Sequence, residues 1–192
     1  MLELIKSWDR ELLLFLNGHH NDFFDFVMYY SSNKFVWIPF YIILAIVLFK
    51  FYGQRSIFIL ITAGLLIAAS DLISVHAFKN VFERLRPCHE PDLEGLLHSV
   101  RGKCGGKYGF YSSHATNHFA LAGFLSFILG KKIKWFTPVI FIWAAFVSYS
   151  RIYLGVHYPG DVMAGAAAGI FLSWLFYSMY LKAGKWFGYA TQ

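Results

Sequence analysis

The chain has 192 residues, 57% of them hydrophobic, 20% aromatic and 15% charged, with a mean hydropathy of +0.49. Soluble domains carry about 25% charged residues, so this composition excludes an ordinary water-soluble globule, and its length suits one compact membrane domain, 1–192. The formal charge of +6 comes from Lys and Arg in short clusters between apolar runs, a pattern of topology signals and anionic ligands and not of a nucleic-acid-binding face.

Residues 1–17 place Leu2, Leu4, Ile5, Trp8, Leu12 and Phe15 at helical spacing, interleaved with Glu3, Lys6, Asp9, Arg10 and Glu11. This predicts an amphipathic helix lying at the membrane interface. The start lacks a small-residue cleavage site. After the polar break His19-His20-Asn21-Asp22 comes an aromatic piece, 23–30, interrupted by Asp25. It is short for a span, so 1–34 is expected to form interfacial helices, with a tilted sixth span as the alternative.

Five apolar runs follow, at 35–49, 57–78, 115–129, 135–149 and 162–181. A helix crosses the hydrocarbon core with about 20 residues, so the expected fold is an all-α, polytopic bundle of five to six spans. Asp71 falls inside the second run and is expected to face protein, because a lipid-facing carboxylate is costly. The last run contains Gly165-Ala166-Ala167-Ala168-Gly169, which suits close helix contact in a membrane. Lys50 and Arg55, then Lys131, Lys132 and Lys134, then Lys182 and Lys185 all fall on one side. The positive-inside rule makes that side cytoplasmic. The loops at 79–111 and 151–160 then share the outer face of the cell membrane. The 79–111 loop is itself basic, an exception that an anion site would explain. It holds both cysteines, Cys88 and Cys104. With no CxxC pair a zinc ribbon is not expected, and an oxidising exterior predicts a disulfide between them.

Three sets of residues meet at this outer face. Lys79 and Arg86 are seven apart, one face of a helix that Pro87 should end. Tyr111-Ser112-Ser113-His114 precedes an apolar helix, so a serine N-cap and free backbone N–H groups can receive phosphate, with His114 beside them as a proton donor. Ser150-Arg151 and His157-Tyr158-Pro159-Gly160-Asp161 supply a guanidinium fork, an imidazole able to act as base or nucleophile, and a carboxylate that can hold one ring nitrogen. Taken singly, these are an interfacial basic face, a lone cap, and an Asp capping the next helix. Together they suggest phosphoryl chemistry in which cations replace a metal clamp. No Asp/Glu cluster or His/Cys spacing suits a metal or other cofactor.

Lys79-x6-Arg86-Pro87, Ser112-Ser113-His114 and Ser150-Arg151-x5-His157-x3-Asp161 together resemble the three-part signature of the type 2 phosphatidic acid phosphatases, the superfamily shared with vanadium haloperoxidases and glucose-6-phosphatase. The match covers 79–161. The middle part departs from the usual Pro-Ser-Gly-His, with Tyr111 and Ser113 in place of Pro and Gly. The resemblance implies that His157 attacks phosphorus to give a phosphohistidine, that Asp161 orients it, and that His114 protonates the leaving oxygen. Lys79, Arg86, Arg151, Ser112 and Ser113 would hold the phosphate oxygens. It also implies a lipid phosphate or diphosphate as substrate, drawn from the surrounding membrane lipids: undecaprenyl diphosphate, phosphatidic acid, phosphatidylglycerol phosphate or a lipid A phosphate. A transporter or flippase using the cations only for binding is the competing class, but its repeated halves and broken helices are not evident. A haloperoxidase-like oxidase is disfavoured by the apolar spans.

Other polar residues are given structural roles. Glu83 is expected to pair with Lys79 or Arg86, and Arg84 to point to solvent or lipid headgroups. His89, His98 and His118 are expected to be non-catalytic, with His118 packing beneath His114. His76 and Asp71 are expected to be buried polar contacts.

Overall fold

The computed structural model describes residues 2–186. It consists of α1 (Leu2–Gly18), α2 (Asp22–Ser31), a 3-10 turn (Lys34–Trp37) running into α3 (Ile38–Tyr52), α4 (Arg55–Ile73), a π turn (Ser74–Lys79), the short α5 (Asn80–Phe82), α6 (Ser113–Leu129), α7 (Phe136–Tyr153) and α8 (Pro159–Trp186). Among the described residues the only strand-like feature is an isolated bridge between Leu85 and Tyr108. The all-α bundle expected from the apolar runs is therefore the fold.

Among the described residues, four stretches are long and apolar enough to cross a membrane: Lys34–Tyr52, Arg55–Phe82, Phe136–Tyr153 and Pro159–Lys185. The fifth expected span is α6, which is 17 residues long and packs against α8, α7 and α4. Its Ala115, Ala120, Ala122, Phe124 and Leu129 have no exposure at all, whereas α3 and α4 turn Ile42, Ile46, Ile61 and Leu65 outward. So α6 is the protein-facing axis of the bundle, and the other spans shield it from lipid. Small residues make that packing possible: a Cβ on Gly165 of α8 would lie 2.6 Å from the Ser112 carbonyl, so only glycine lets the two helices touch there.

The helix ends follow local chemistry. Asn21 caps α2 by accepting the Phe24 N–H at 2.9 Å. Pro159 opens α8, where its missing N–H leaves no gap in the ladder. α4 passes into the π turn, whose wider i→i+5 spacing ends at Lys79. The chain then leaves the helix at Phe82, and Glu83 takes a left-handed conformation with φ 46°. Lys79 and Arg86 thus do not share a helix, contrary to the spacing argument. Pro87 acts earlier than expected, because it holds Arg86 in extended backbone, with φ −71° and ψ 152°.

α1 is amphipathic as predicted, but its apolar stripe faces away from the protein: Leu4, Ile5, Trp8, Leu12 and Phe15 are exposed. Leu13 and Asn17 are buried on the opposite side, the face that also carries Asp9. This suits a helix whose apolar face meets lipid.

Lys50, Arg55 and the 131–134 turn lie at the helix ends remote from 79–112 and 154–158, as the loop alternation required. Cys88 and Cys104 are joined, with Cα atoms 5.9 Å apart. The bond closes a loop 16 residues long in sequence separation, which the chain-entropy account values at about 3 kcal/mol. Replacing both cysteines by serine should lower stability by that order. Equilibrium unfolding in detergent, compared with oxidised wild type, would measure it, and identical curves for oxidised and reduced wild type would contradict it.

Candidate active site

The three sets of residues converge at one end of the bundle because each sits where a helix begins or ends. α7 runs past the expected residue 149 to Tyr153 and so carries Arg151 in its last turn. The chain turns back at Leu154, and both the Val156 and the His157 N–H donate to the Arg151 carbonyl, at 3.1 and 3.2 Å. This tight return brings His157 alongside the Arg151 turn. Asp161 follows in the first turn of α8. Its Oδ2 accepts the Tyr158 N–H at 3.1 Å and faces His157 Nδ1 at 3.5 Å. The Ser112 N–H donates to the Asp161 carbonyl at 3.1 Å, tying the α6 cap to the same turn.

Ser112 is the N-cap of α6, as predicted. Ser113 begins the helix, and its hydroxyl takes the Lys79 ammonium at 2.6 Å and meets Ser74 Oγ at 2.6 Å. The serine that stands in place of the family's usual glycine thus fixes the lysine of the first set. Arg86 is buried, and its Nε donates to the Tyr108 carbonyl at 3.2 Å. Gly109 lies over the centre: a Cβ there would meet Arg86 Cγ and Asp161 Oδ2 at 3.2 Å and His157 Nδ1 at 3.5 Å. Glycine therefore allows the loop to close on the His–Asp pair.

A cavity of about 940 Å³ opens onto part of this cluster, while Ser112, Arg151 and Asp161 lie outside its lining. Lys79, Arg86, Ser113, His114 and His157 line its polar end, and Leu44, Leu48, Ala63, Ile67, Leu121 and Leu125 of α3, α4 and α6 line an apolar extension. One cavity therefore offers cations and imidazoles at one end and hydrocarbon at the other. His157 is 1% exposed. Burial, reinforced by the charges of Arg86, Arg151 and Lys79, pushes its pKa well below the ordinary histidine range. The imidazole is neutral at pH 7, the form that has a lone pair to donate.

Sequence reasoning missed Arg84. It does not point to solvent: one guanidinium nitrogen holds Asp161 Oδ1 at 2.8 Å and the other holds Asp9 Oδ2 at 2.7 Å. Its plane lies over the Tyr158 ring at 4.0 Å. Asp9 also accepts the Gly160 N–H at 2.7 Å, so α1 fastens the start of α8. The available signal was Pro87: an extended residue 86 implies that 84 and 86 point to the same side.

Glu83 is exposed and makes no ion pair among those described, against expectation. His76 and Asp71 are not buried either, although Asp71 lines the cavity. His118 does pack beneath His114, with Nδ1 at 2.7 Å from the His114 carbonyl. His20, Asp25 and His98 lie close enough to share a metal ion, a grouping the sequence did not suggest. None of the three lines the cavity, and the Asp25 carboxylate is already held by His98 and Tyr153.

A helix bundle that gathers three cations, two imidazoles and a carboxylate at one end, beside a half-apolar cavity, defines a class, the membrane phosphatases of the phosphatidic acid type. Residues 56–185 match the PAP2 superfamily, and the chain belongs to it. It is 40% identical over 179 residues to lipid A 4′-phosphatase of Bacteroides thetaiotaomicron, covering 92% of this chain and 79% of that protein. Its identity to lipid A 4′-phosphatase of Porphyromonas gingivalis is 38% over 191 residues, covering 97% and 79%. The fold is similar to the crystal structure of a transmembrane PAP2-type phosphatidylglycerolphosphate phosphatase from Bacillus subtilis, with a TM-score of 0.71 at 22% identity over 93% of this chain and 87% of that one.

Proposed function

We propose that residues 1–192 form a single phosphatase domain that hydrolyses a lipid phosphate at the extracytoplasmic face of the cell membrane, through a phosphohistidine and without a metal. The observation that carries this is the cavity, which joins a cationic pocket around His157 to a hydrocarbon groove. A lipid A phosphate is the favoured substrate, supported by the likeness to two lipid A 4′-phosphatases over almost the whole chain.

The reaction follows from the atoms. Asp161 Oδ2 faces His157 Nδ1 at 3.5 Å without a hydrogen bond in the free protein; accepting Nδ1–H once the phosphate is bound, it fixes the tautomer and leaves the Nε2 lone pair free. Nε2 attacks phosphorus, the phosphorus–oxygen bond to the lipid breaks, and His114 delivers a proton to the departing oxygen. Water then attacks the phosphohistidine with His114 as base, and inorganic phosphate leaves. Lys79, Arg86, Arg151, Ser112 and Ser113 hold the phosphoryl oxygens, where charge develops in the transition state. Arg151 suits this task. It is 4% exposed, and its Nε has no partner among the described groups.

Phosphate release over a panel of lipid A phosphate, phosphatidic acid, phosphatidylglycerol phosphate and undecaprenyl diphosphate tests the reading. Lipid A phosphate should be hydrolysed fastest, and no release from any lipid would end the proposal. Activity should survive EDTA, because the three cations neutralise the phosphate. Loss in EDTA that magnesium restores would reveal a metal step.

His114→Ala should lower kcat on a lipid substrate by about 10²–10⁴-fold, the worth of general acid catalysis. A nitrophenyl phosphate, whose leaving oxygen needs no protonation, should recover most of that loss. Equal losses on both substrates would take the acid role from His114.

A further inference from the structure

The phosphoryl pocket has a second tier of cations that the reaction above does not use. Ser32, at the end of α2, is 4% exposed and receives a guanidinium N–H of Arg151 on its hydroxyl. The same oxygen lies 3.4 Å from Lys103 Nζ. Lys103 precedes Cys104, so the disulfide to Cys88 pins it next to the Arg86-Pro87 segment. Lys34, two residues beyond Ser32, lines the same cavity as Lys79, Arg86 and His157. Lys103 and Arg101 both sit against the Tyr29 ring, each 4.7 Å from its centroid.

Among the described residues no carboxylate lies within ion-pair distance of Arg151, Lys103, Lys34 or Arg101. Arg84 at the same face is by contrast matched by two carboxylates, those of Asp161 and Asp9. Two cations meeting on one neutral hydroxyl repel each other, and Lys103 has a lowered pKa through burial and the nearby Arg151. One phosphate dianion held by Lys79, Arg86 and Arg151 leaves the Lys103 and Lys34 charges unanswered.

We propose that Lys103, with Lys34, binds a second phosphate on the same lipid and so selects doubly phosphorylated substrates. The proposal rests on the lipid phosphatase reading and deepens it. Ser32 joins the two tiers through one hydroxyl, with Arg151 serving the scissile phosphate and Lys103 the second. The second phosphate is either joined to the first as a diphosphate or carried elsewhere on the headgroup.

The test compares pairs of lipids that differ by one phosphate: diacylglycerol diphosphate against phosphatidic acid, and bisphosphorylated against monophosphorylated lipid A. For each pair the quantity read is the ratio of kcat/KM, two phosphates over one. Lys103→Gln should lower that ratio about tenfold or more, the scale of one hydrogen bond to a charged group, with the change in KM and not in kcat. A fall confined to the diphosphate pair identifies adjacent phosphates, and a fall confined to the lipid A pair identifies a distant one. Lys34→Gln should move the ratio the same way, and it decides the matter if Lys103→Gln does not fold. An unchanged ratio in both pairs overturns the second-phosphate site while leaving the phosphatase intact. A wild-type protein that releases phosphate from none of the four lipids fails the underlying reading and takes this proposal with it.

Discussion

Replacing His157 by alanine is expected to reduce turnover by about 10⁵–10⁶-fold, the scale on which removal of a nucleophile is felt. The imidazole is wholly enclosed and neutral, and no other described side chain occupies its place between Asp161 and the cavity. Rapid quench with labelled substrate should trap phosphate on wild type and none on His157→Ala. Label trapped on His114, or near-normal turnover of the alanine variant, would reverse the assignment. Circular dichroism should be unchanged, because the ring makes no hydrogen bond through Nδ1 in the free protein.

Arg84→Ala should have the second largest effect, and on two quantities at once. Asp161 is 0% exposed, and Arg84 is its ion-pair partner. Removing one member of a buried pair leaves an uncompensated charge, which costs about 3–5 kcal/mol. The stranded carboxylate escapes by taking a proton, and a protonated Asp161 no longer stabilises a positive His157. Stability should therefore fall by about 3 kcal/mol, and kcat should fall with it by as much as about 10⁴-fold, the loss seen when a His–Asp pair is left without its charge. Arg84→Lys should recover part of the stability, since one ammonium can serve Asp161 but cannot fork to Asp9 as well. Stability and kcat both within a factor of two of wild type would show that Asp161 needs no partner.

The class of fold and the gathering of the three sets were legible because membrane patterning is coarse. Apolar runs locate spans, and lysine clusters locate the ends of the bundle remote from the site. What escaped was the backbone between Phe82 and Pro87. A seven-residue spacing reads as a helix face, but the π turn and the left-handed Glu83 break the helix before Arg86 is reached. Once that stretch is extended, Arg84 turns inward and Glu83 outward, the reverse of the helical reading. The facing of α1 was also hidden: periodicity gives an apolar stripe without saying whether protein or lipid receives it. The link from Asp9 to Gly160 and Arg84 spans the length of the sequence, and no local pattern announces a contact of that kind. The role of Ser113 was masked for another reason. Comparison with the usual glycine treats the position as backbone, whereas here the hydroxyl holds Lys79.

The burial of α6 sets two different rules for inherited change within one bundle. On α3 and α4 the outward positions meet only acyl chains, so any apolar side chain serves and the sequence is free to drift among Leu, Ile, Val and Phe. Along the contact of α6 with α8 the filter is volume. There Gly165 faces a carbonyl at a distance that a methyl group cannot share, and a change as mild as Gly165→Ala would prise Ser112 away from the turn that holds Asp161. Two substitutions equal in hydropathy thus differ in consequence, according to whether the neighbour is a fluid or a wall.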